Sequence, residues 1–200
     1  MMKRQEQKYL INFQEFSRVL KKFKVFRSYN SRIINSIYFD DENFKNYFDS
    51  EEGTVPRKKI RFRFYGNVKK IDFDNKFIGK IEIKETHQNF RLKKGLNTEA
   101  KNYYFLKKIV NRIFSKKLKG VCMITYRRHY YENKDIRFTY DENIKYNNLK
   151  SLNNYFFDRN IVEAKFKNPS IFELNNLFGD KVVRFSKYSM VISKLYNLNL

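Results

Sequence analysis

The sequence contains few of the residues that build disulfide frameworks, zinc sites or interdomain linkers. Its 200 residues include one cysteine, two histidines, two prolines and six glycines. The single cysteine excludes an intramolecular disulfide framework, and two histidines leave no zinc-finger spacing. Low glycine and proline content leaves no linker-like segment, and no stretch approaches the roughly 18 apolar residues of a membrane-spanning helix. We therefore expect one domain over residues 1–200, a cytoplasmic location and no transmembrane segment.

Acidic residues are also scarce relative to basic ones. The chain has 21 Asp plus Glu against 43 Lys plus Arg, which gives a formal net charge of +22. Such an excess attracts any polyanion, whether nucleic acid, anionic lipid or a phosphate chain. The number of charges therefore does not identify the partner, and their placement carries more information.

Charged and apolar residues alternate in at least five short segments with the period of a β-strand. Side chains two residues apart in a strand point to the same side, so each segment has one charged face and one apolar face. The charged faces consist of Arg4, Glu6 and Lys8; Arg57, Lys59, Arg61 and Arg63; Lys80, Glu82 and Lys84; Arg137, Thr139 and Asp141; Glu163 and Lys165.

Helical periodicity separates these strand-like segments. Asn12 followed by Glu15 predicts a capped helix, and further helices are expected from Thr98, from the pair Ser170 and Glu173, and near Ser186. Mostly strands with about four helices is an α+β pattern. The pattern predicts a curved antiparallel sheet with the helices packed outside and the charged faces left together. A sheet of this kind can also close into a β-barrel of about eight strands.

The charged faces have two interpretations. They are ordinary solvated sides of a sheet, or they line the lumen of a barrel. A charged lumen is costly unless ligands and ions satisfy it. Arg and Lys match phosphate oxygens, whereas Glu beside them repels phosphate unless a divalent cation lies between. The lumen hypothesis thus predicts a metal and polyphosphate site with Mg²⁺ or Mn²⁺.

The strings RQEQKYLI, SIYFDD, RKKIRFRFYG, IEIKE, YRRHYY, RFTYD, VEAKF and SKYSM occur in this order over nearly the whole chain. Together they resemble the VTC domain, the polyphosphate polymerase branch of the triphosphate tunnel metalloenzymes (CYTH-like). The resemblance implies an antiparallel tunnel in which basic residues hold a triphosphate and an acidic residue holds the metal. Arg4 stands where the hydrolytic branch has an acid, which weakens the adenylate cyclase and thiamine triphosphatase alternatives.

The resemblance also assigns roles to particular residues. The predicted catalytic residues are Arg61, Arg63, Arg137 and Lys84. The predicted substrate-binding residues are Lys8, Lys59, Arg128, Lys165, Lys187 and Tyr126. The predicted metal ligand is Glu163, with Glu6 and Glu82 in support. Arg127 and Arg128 compete for one position, and the Tyr-x-Arg spacing of the family favours Arg128.

The predicted function is a metal-dependent transferase that moves the γ-phosphoryl group of ATP onto inorganic polyphosphate. Phosphoryl transfer requires alignment and charge stabilisation more than a covalent nucleophile, so the chain needs no Ser/His/Asp pattern. A tripolyphosphatase or nucleoside triphosphatase of the same fold is the nearest alternative. A nucleic-acid-binding module is the other, although Phe62 and Phe64 fall opposite Arg61 and Arg63, whereas single-strand binders expose both on one face.

Overall fold

The computed structural model describes residues 5–68, 72–149, 151, 153–166 and 181–198. The strands are β1 (Gln5–Leu10), β2 (Phe26–Asp40), β3 (Arg57–Tyr65), β4 (Phe77–Thr86), β5 (Arg91–Ala100), β6 (Lys119–Glu132), β7 (Ile136–Asn147), β8 (Tyr155–Phe156) and β9 (Ile161–Phe166). The helices are α1 (Phe13–Lys22), α2 (Lys45–Glu51), α3 (Tyr103–Phe114) and α4 (Lys187–Tyr196). No helix of these residues is long and apolar enough to span a membrane.

The chain forms two compact units. The first unit comprises the described residues of Met1–Ile33, Tyr126–Lys145 and Phe156–Phe185, and the second comprises those of Ile34–Thr125, Tyr146–Tyr155 and Ser186–Leu200. Strands of the first unit follow the order β1, β9, β7, β6, β2, and those of the second follow β6, β2, β3, β4, β5; β8 pairs with β7. Every pair with a described register is antiparallel. The predicted fold class, α+β with an antiparallel sheet, is confirmed.

The first unit packs α1 against the apolar face of β1, β7 and β9. The predicted cap is present, because the Asn12 side chain accepts the Glu15 N–H at 2.8 Å and the Glu15 carboxylate accepts the Asn12 N–H at 3.1 Å. Phe16 stacks on Tyr140 with ring centroids 5.3 Å apart. The buried set also includes Tyr9, Ile11, Val19, Phe138, Val162, Ala164 and Phe166.

The second unit packs α3 against the apolar face of β2, β3 and β4. Phe62 and Ile81 are fully buried there, together with Leu106 and Val110 of α3. Gly79 of β4 is required beside this core, because a Cβ at this position would lie 2.3 Å from the Arg63 carbonyl oxygen. The apolar residues that alternate with the charges therefore form the core, as the pattern predicts.

One local prediction differs from the structure, and two elements were not predicted. The helix expected from Thr98 begins instead at Tyr103, capped by Asn102, because Thr98 belongs to β5 and pairs with Gly79. Helix α2 and strand β5 were not anticipated from periodicity. The helix expected from Ser170 and Glu173, as well as Arg4, lies outside the described residues. The helix expected near Ser186 is present, with Ser186 as its N-cap.

Candidate phosphate-binding site

One row of the first unit's charged face crosses β1, β9 and β7. Lys8 and Thr139 both pair with Glu163, from opposite sides. Directly paired residues of antiparallel strands point to the same face, so the three side chains form one polar row. The Lys8 ammonium also donates to the Phe185 carbonyl oxygen at 2.8 Å.

Glu163 is surrounded by cations. The Lys165 Nζ lies 2.8 Å from its Oε1. Burial alone would raise the pKa of Glu163, but Lys165, Arg128 and Lys8 outweigh burial and lower the pKa to about 2. The carboxylate is therefore ionised at every physiological pH.

The next row consists of Glu6, Lys165 and Arg137. Lys165 pairs with Glu6 on β1 and with Arg137 on β7, and its ammonium lies 3.7 Å from the Glu6 carboxylate. Lys165 thus lies between two carboxylates, Glu6 and Glu163. Arg137 is about half exposed, with its Nε 3.9 Å from the Glu132 carboxylate, so its guanidinium is accessible to a ligand.

Arg128 lies on this face, whereas Arg127 does not. The Arg128 guanidinium donates to both Asp141 oxygens, at 2.6 and 2.7 Å, and its Cζ lies 5.2 Å from the centroid of the Tyr126 ring. Burial alone would lower the pKa of Arg128. The Asp141 carboxylate outweighs burial and raises the pKa above its ordinary value. Arg127 is more exposed and lies near Glu142. Arg128 therefore shares the charged face with Asp141, and the Tyr126 ring lies beside it.

The second unit has a charged face of its own on β3 and β4. Arg61 pairs directly with Glu82 and donates to its Oε2 at 2.7 Å, while Arg63 Nη1 lies 3.7 Å from the same oxygen. Burial raises the pKa of Glu82, but the two arginines outweigh it, and the net pKa is lowered. One ionised carboxylate thus holds two guanidinium groups on one side of the sheet.

Lys59 and Lys84 extend this face by one row. They pair directly across β3 and β4, and Lys84 pairs in turn with Lys93 of β5. The Lys59 Nζ donates to Ser186 Oγ at 2.8 Å. Ser186 caps α4, whose first residue is Lys187, so Lys187 lies one residue from a direct contact of Lys59.

Arg61 is also held by a chain of buried side chains that the sequence motifs did not indicate. Arg61 Nη1 donates to the Tyr38 hydroxyl at 3.1 Å, and Tyr38 stacks on Tyr188 of α4 with centroids 5.0 Å apart. The Tyr188 hydroxyl donates to the buried carboxylate of Asp40, which also accepts backbone N–H groups at the start of α2. In the sequence, Tyr38 and Asp40 alternate with the apolar residues Ile37 and Phe39. This alternation could have indicated that Tyr38 and Asp40 share one face of β2.

Asp141 and Lys93 are two further charged residues that were not assigned a role. Asp141 appeared in the charged pattern of β7, and its pairing with Arg128 shows why it is buried. Lys93 lies on β5, whose sequence shows no clear alternation, so only the register reveals that it shares the face of Lys84.

The carboxylates are suited to a hard divalent cation. Among the described residues no group of three or more His, Cys, Asp or Glu is placed to hold a metal. Glu163 and Glu6 both contact Lys165, and the buried Thr139 hydroxyl beside Glu163 has no hydrogen-bond partner in the described part of the chain. Such oxygen donors fit Mg²⁺ or Mn²⁺, which commonly takes one or two carboxylates and completes its shell with water and substrate phosphates.

The VTC domain matches the sequence over residues 3–196, nearly the whole chain. The chain belongs to the VTC domain family. No curated protein matches it by sequence. Membership in this family supports an enzymatic role in phosphoryl chemistry, with dependence on a divalent metal.

Solved structures share the fold of this VTC domain at low sequence identity. A candidate adenylate cyclase from Bacillus halodurans is 13% identical, with a TM-score of 0.59 over 96% of each chain. One from Vibrio parahaemolyticus is 11% identical, with a TM-score of 0.56 over 94% of this chain and 97% of the other. A candidate adenylyl cyclase from Hippeastrum, described as having a dominant triphosphatase activity, is 11% identical, with a TM-score of 0.53 over 95% of each. At these identities the likeness shows the fold alone.

Proposed function

We propose that this VTC domain transfers the γ-phosphoryl group of ATP to the end of an inorganic polyphosphate chain. The observation that carries the proposal is the mixed charge of each face, where cations stand beside carboxylates that remain ionised. Glu163 is ionised beside Lys165 and Lys8, and Glu82 beside Arg61 and Arg63. A surface that only attracts polyanions does not need these carboxylates, whereas a metal and triphosphate site does.

The transfer breaks the bond between the γ-phosphorus and the β,γ-bridging oxygen of ATP and forms one bond to a terminal polyphosphate oxygen. ADP leaves, and the acceptor grows by one phosphate. The acceptor oxygen is already ionised, so no general base is required. The side chains contribute alignment and charge stabilisation, the main requirements of a loose phosphoryl-transfer transition state.

Each predicted residue has a physical role in this proposal. Arg61 and Arg63 stabilise charge on phosphate oxygens, and Glu82 holds both guanidinium groups in position. Lys59 and Lys84 bind phosphate as point charges. The other predicted phosphate-binding residues are Lys8, Tyr126, Arg128, Arg137, Lys165 and Lys187.

The metal site of the proposal centres on Glu163. Glu163 would hold the cation, with Glu6 in support. When bound, Mg²⁺ or Mn²⁺ supplies neutralisation of phosphate charge. Glu82 lies in the second unit, where its Oε2 accepts from Arg61, and its metal-supporting role stays a prediction.

Hydrolysis of a triphosphate is the second candidate. It uses the same residues with water as the acceptor, and the triphosphatase activity described for the Hippeastrum relative of the fold favours it. Nucleic-acid binding is less favoured, because Phe62 is fully buried on the face opposite Arg61 and is not exposed for base stacking.

The test is incubation of the purified chain with ATP and Mn²⁺ or Mg²⁺, followed by gel detection of polyphosphate and assay of free phosphate. Long polyphosphate with ADP supports the polymerase. ADP with only free phosphate supports the hydrolase and contradicts the polymerase. Arg61→Ala is expected to lower the rate by orders of magnitude, whereas Glu42→Gln, in an exposed ion pair with Lys117, is the matched control expected to retain it.

A further inference from the structure

The number of cationic side chains on the charged face of the second unit differs from one end of its strands to the other. Four successive rows cross β3, β4 and β5, and they span about 20 Å at roughly 3.3 Å per residue. In order, the first three rows are Lys59, Lys84 and Lys93; Arg61, Glu82 and Gly95; Arg63, Lys80 and Asn97. The fourth row combines Tyr65, two residues beyond Arg63 on β3, with the pair of Ile78 and Glu99. The first row carries three positive charges, and the last carries none.

The last two rows line a cavity of about 490 Å³. This volume lies within the usual range of small-molecule sites. Arg63 and Tyr65 form the β3 wall, Asn97 and Glu99 form the β5 wall, and β4 lies between them. The cavity therefore begins at a cationic row, with Arg63 and Lys80, and continues to the row of Tyr65, Ile78 and Glu99.

The chemistry of the far end suits a nucleoside better than a phosphate. Tyr65 and Ile78 are 55% and 63% exposed, and both line the cavity. An exposed aromatic ring offers a stacking surface for a base. The Asn97 amide can donate and accept hydrogen bonds, and the Glu99 carboxylate, which is paired with Lys76 at 2.6 Å, can accept them from amino or hydroxyl groups.

We propose that this cavity binds the nucleoside of a nucleoside triphosphate. The base lies against Tyr65 and Ile78, and the triphosphate runs along the strands past Arg63 toward Lys59 and Lys84. This inference rests on the proposed function, to which it adds a direction for the bound nucleotide and a subsite that distinguishes ATP from inorganic triphosphate.

The test compares two ligands that share the phosphate chain and differ in the nucleoside. Equilibrium binding of the β,γ-imido analogue of ATP and of inorganic tripolyphosphate is measured with Mg²⁺. Tyr65→Ala is expected to weaken binding of the ATP analogue about tenfold, a loss in the range of aromatic stacking on a base. Ile78→Ala, separately, is expected to weaken it through loss of apolar contact with the base. Tripolyphosphate affinity is expected to stay within twofold of wild type, and Tyr65→Phe to restore the affinity for the analogue.

Tyr104→Ala is the matched control, because Tyr104 is similarly exposed on α3 and lies outside the cavity. Tyr65→Ala, Ile78→Ala and Tyr104→Ala each truncate an exposed side chain, and circular dichroism verifies that these variants remain folded. If Tyr65→Ala and Ile78→Ala leave both ligands unaffected, or weaken both equally, the nucleoside subsite is refuted and the proposed function stands. If the wild-type chain binds neither ligand, the proposed function fails and the subsite with it.

Discussion

Replacing Glu163 with glutamine removes one negative charge from the first unit's charged face. Lys165, Arg128 and Lys8 overcome the opposing effect of burial and lower the pKa of Glu163 from the ordinary 4.5 to about 2. At about 1.4 kcal/mol per pH unit, the ionised carboxylate stabilises the folded chain by about 3 kcal/mol at neutral pH. Glutamine keeps the shape but leaves these cations uncompensated, so Glu163→Gln is expected to lose that amount.

The pH dependence has a definite sign. Because the folded-state pKa lies below the unfolded-state value, the stabilisation is fully present above about pH 4.5 and disappears as the pH falls toward 2. The unfolding free energies of wild type and Glu163→Gln should therefore differ most at pH 7 and converge in acid. For a chain of this size, about 3 kcal/mol corresponds to a melting temperature lower by about 10 °C.

Urea unfolding at pH 7 and at several lower pH values measures both quantities. Glu42→Gln is the control, because it removes the same charge from an exposed pair with Lys117 and is expected to cost less than about 1 kcal/mol. A Glu163→Gln chain as stable as wild type at pH 7, or a difference that persists unchanged near pH 2, would refute the electrostatic argument.

Three further outcomes follow from burial and charge. Phe62→Ala is expected to cost about 3 to 5 kcal/mol in urea unfolding because it truncates a fully buried ring, and Arg61→Ala less than half of that; the reverse order would mean that the faces of β3 are exchanged. Asp141→Asn removes the bidentate partner of Arg128 and should cost about 3 to 5 kcal/mol in the same assay; wild-type stability would contradict this. Cys122 is fully buried, and burial raises the pKa of its thiol, so a thiol reagent should label it only in denaturant; rapid labelling of the folded chain would show that it is accessible.

The faces of the strands could be predicted because their period is two. A shift of one residue would expose Phe62 and bury its charged neighbours, so burial of one face fixes the assignment of the other. The same reasoning placed Glu163 and Lys165 opposite Val162 and Ala164, which are fully buried. Local periodicity was therefore sufficient wherever one face is apolar.

Strand β5 could not be predicted from its own sequence. The seven residues from Arg91 to Asn97 are all exposed, so no apolar alternation marks them. The strand exists because ten consecutive pairs join it to β4. Helix α2 has a different cause: it is only seven residues long, and the N–H groups of Asn46 and Tyr47 donate to the Asp40 carboxylate at the end of β2. Apolar periodicity within the element therefore marks neither β5 nor α2.

Parity alone left Arg127 and Arg128 undecided, and the deciding contact is distant in sequence. Arg128 and Asp141 lie on neighbouring strands and are buried together. A guanidinium in such a place is stable only beside a carboxylate, so the position of Asp141 determines which arginine points to the charged face. The sequence contains both Arg128 and Asp141, but it does not show that they form an ion pair.

The carboxylates of the charged faces have one physical role before any ligand binds and another afterwards. Without ligand, Glu163 and Glu82 reduce repulsion among cations that would otherwise destabilise their respective units, as the lowered pKa values of both carboxyl groups require. A bound triphosphate competes for the same cations and is itself repelled by the carboxylates. A divalent cation held by Glu163 would remove that conflict, because it would attract both the carboxylate and the phosphate. From the ion pairs of the ligand-free chain we therefore expect phosphate binding to depend on a divalent metal, independently of the chemical step.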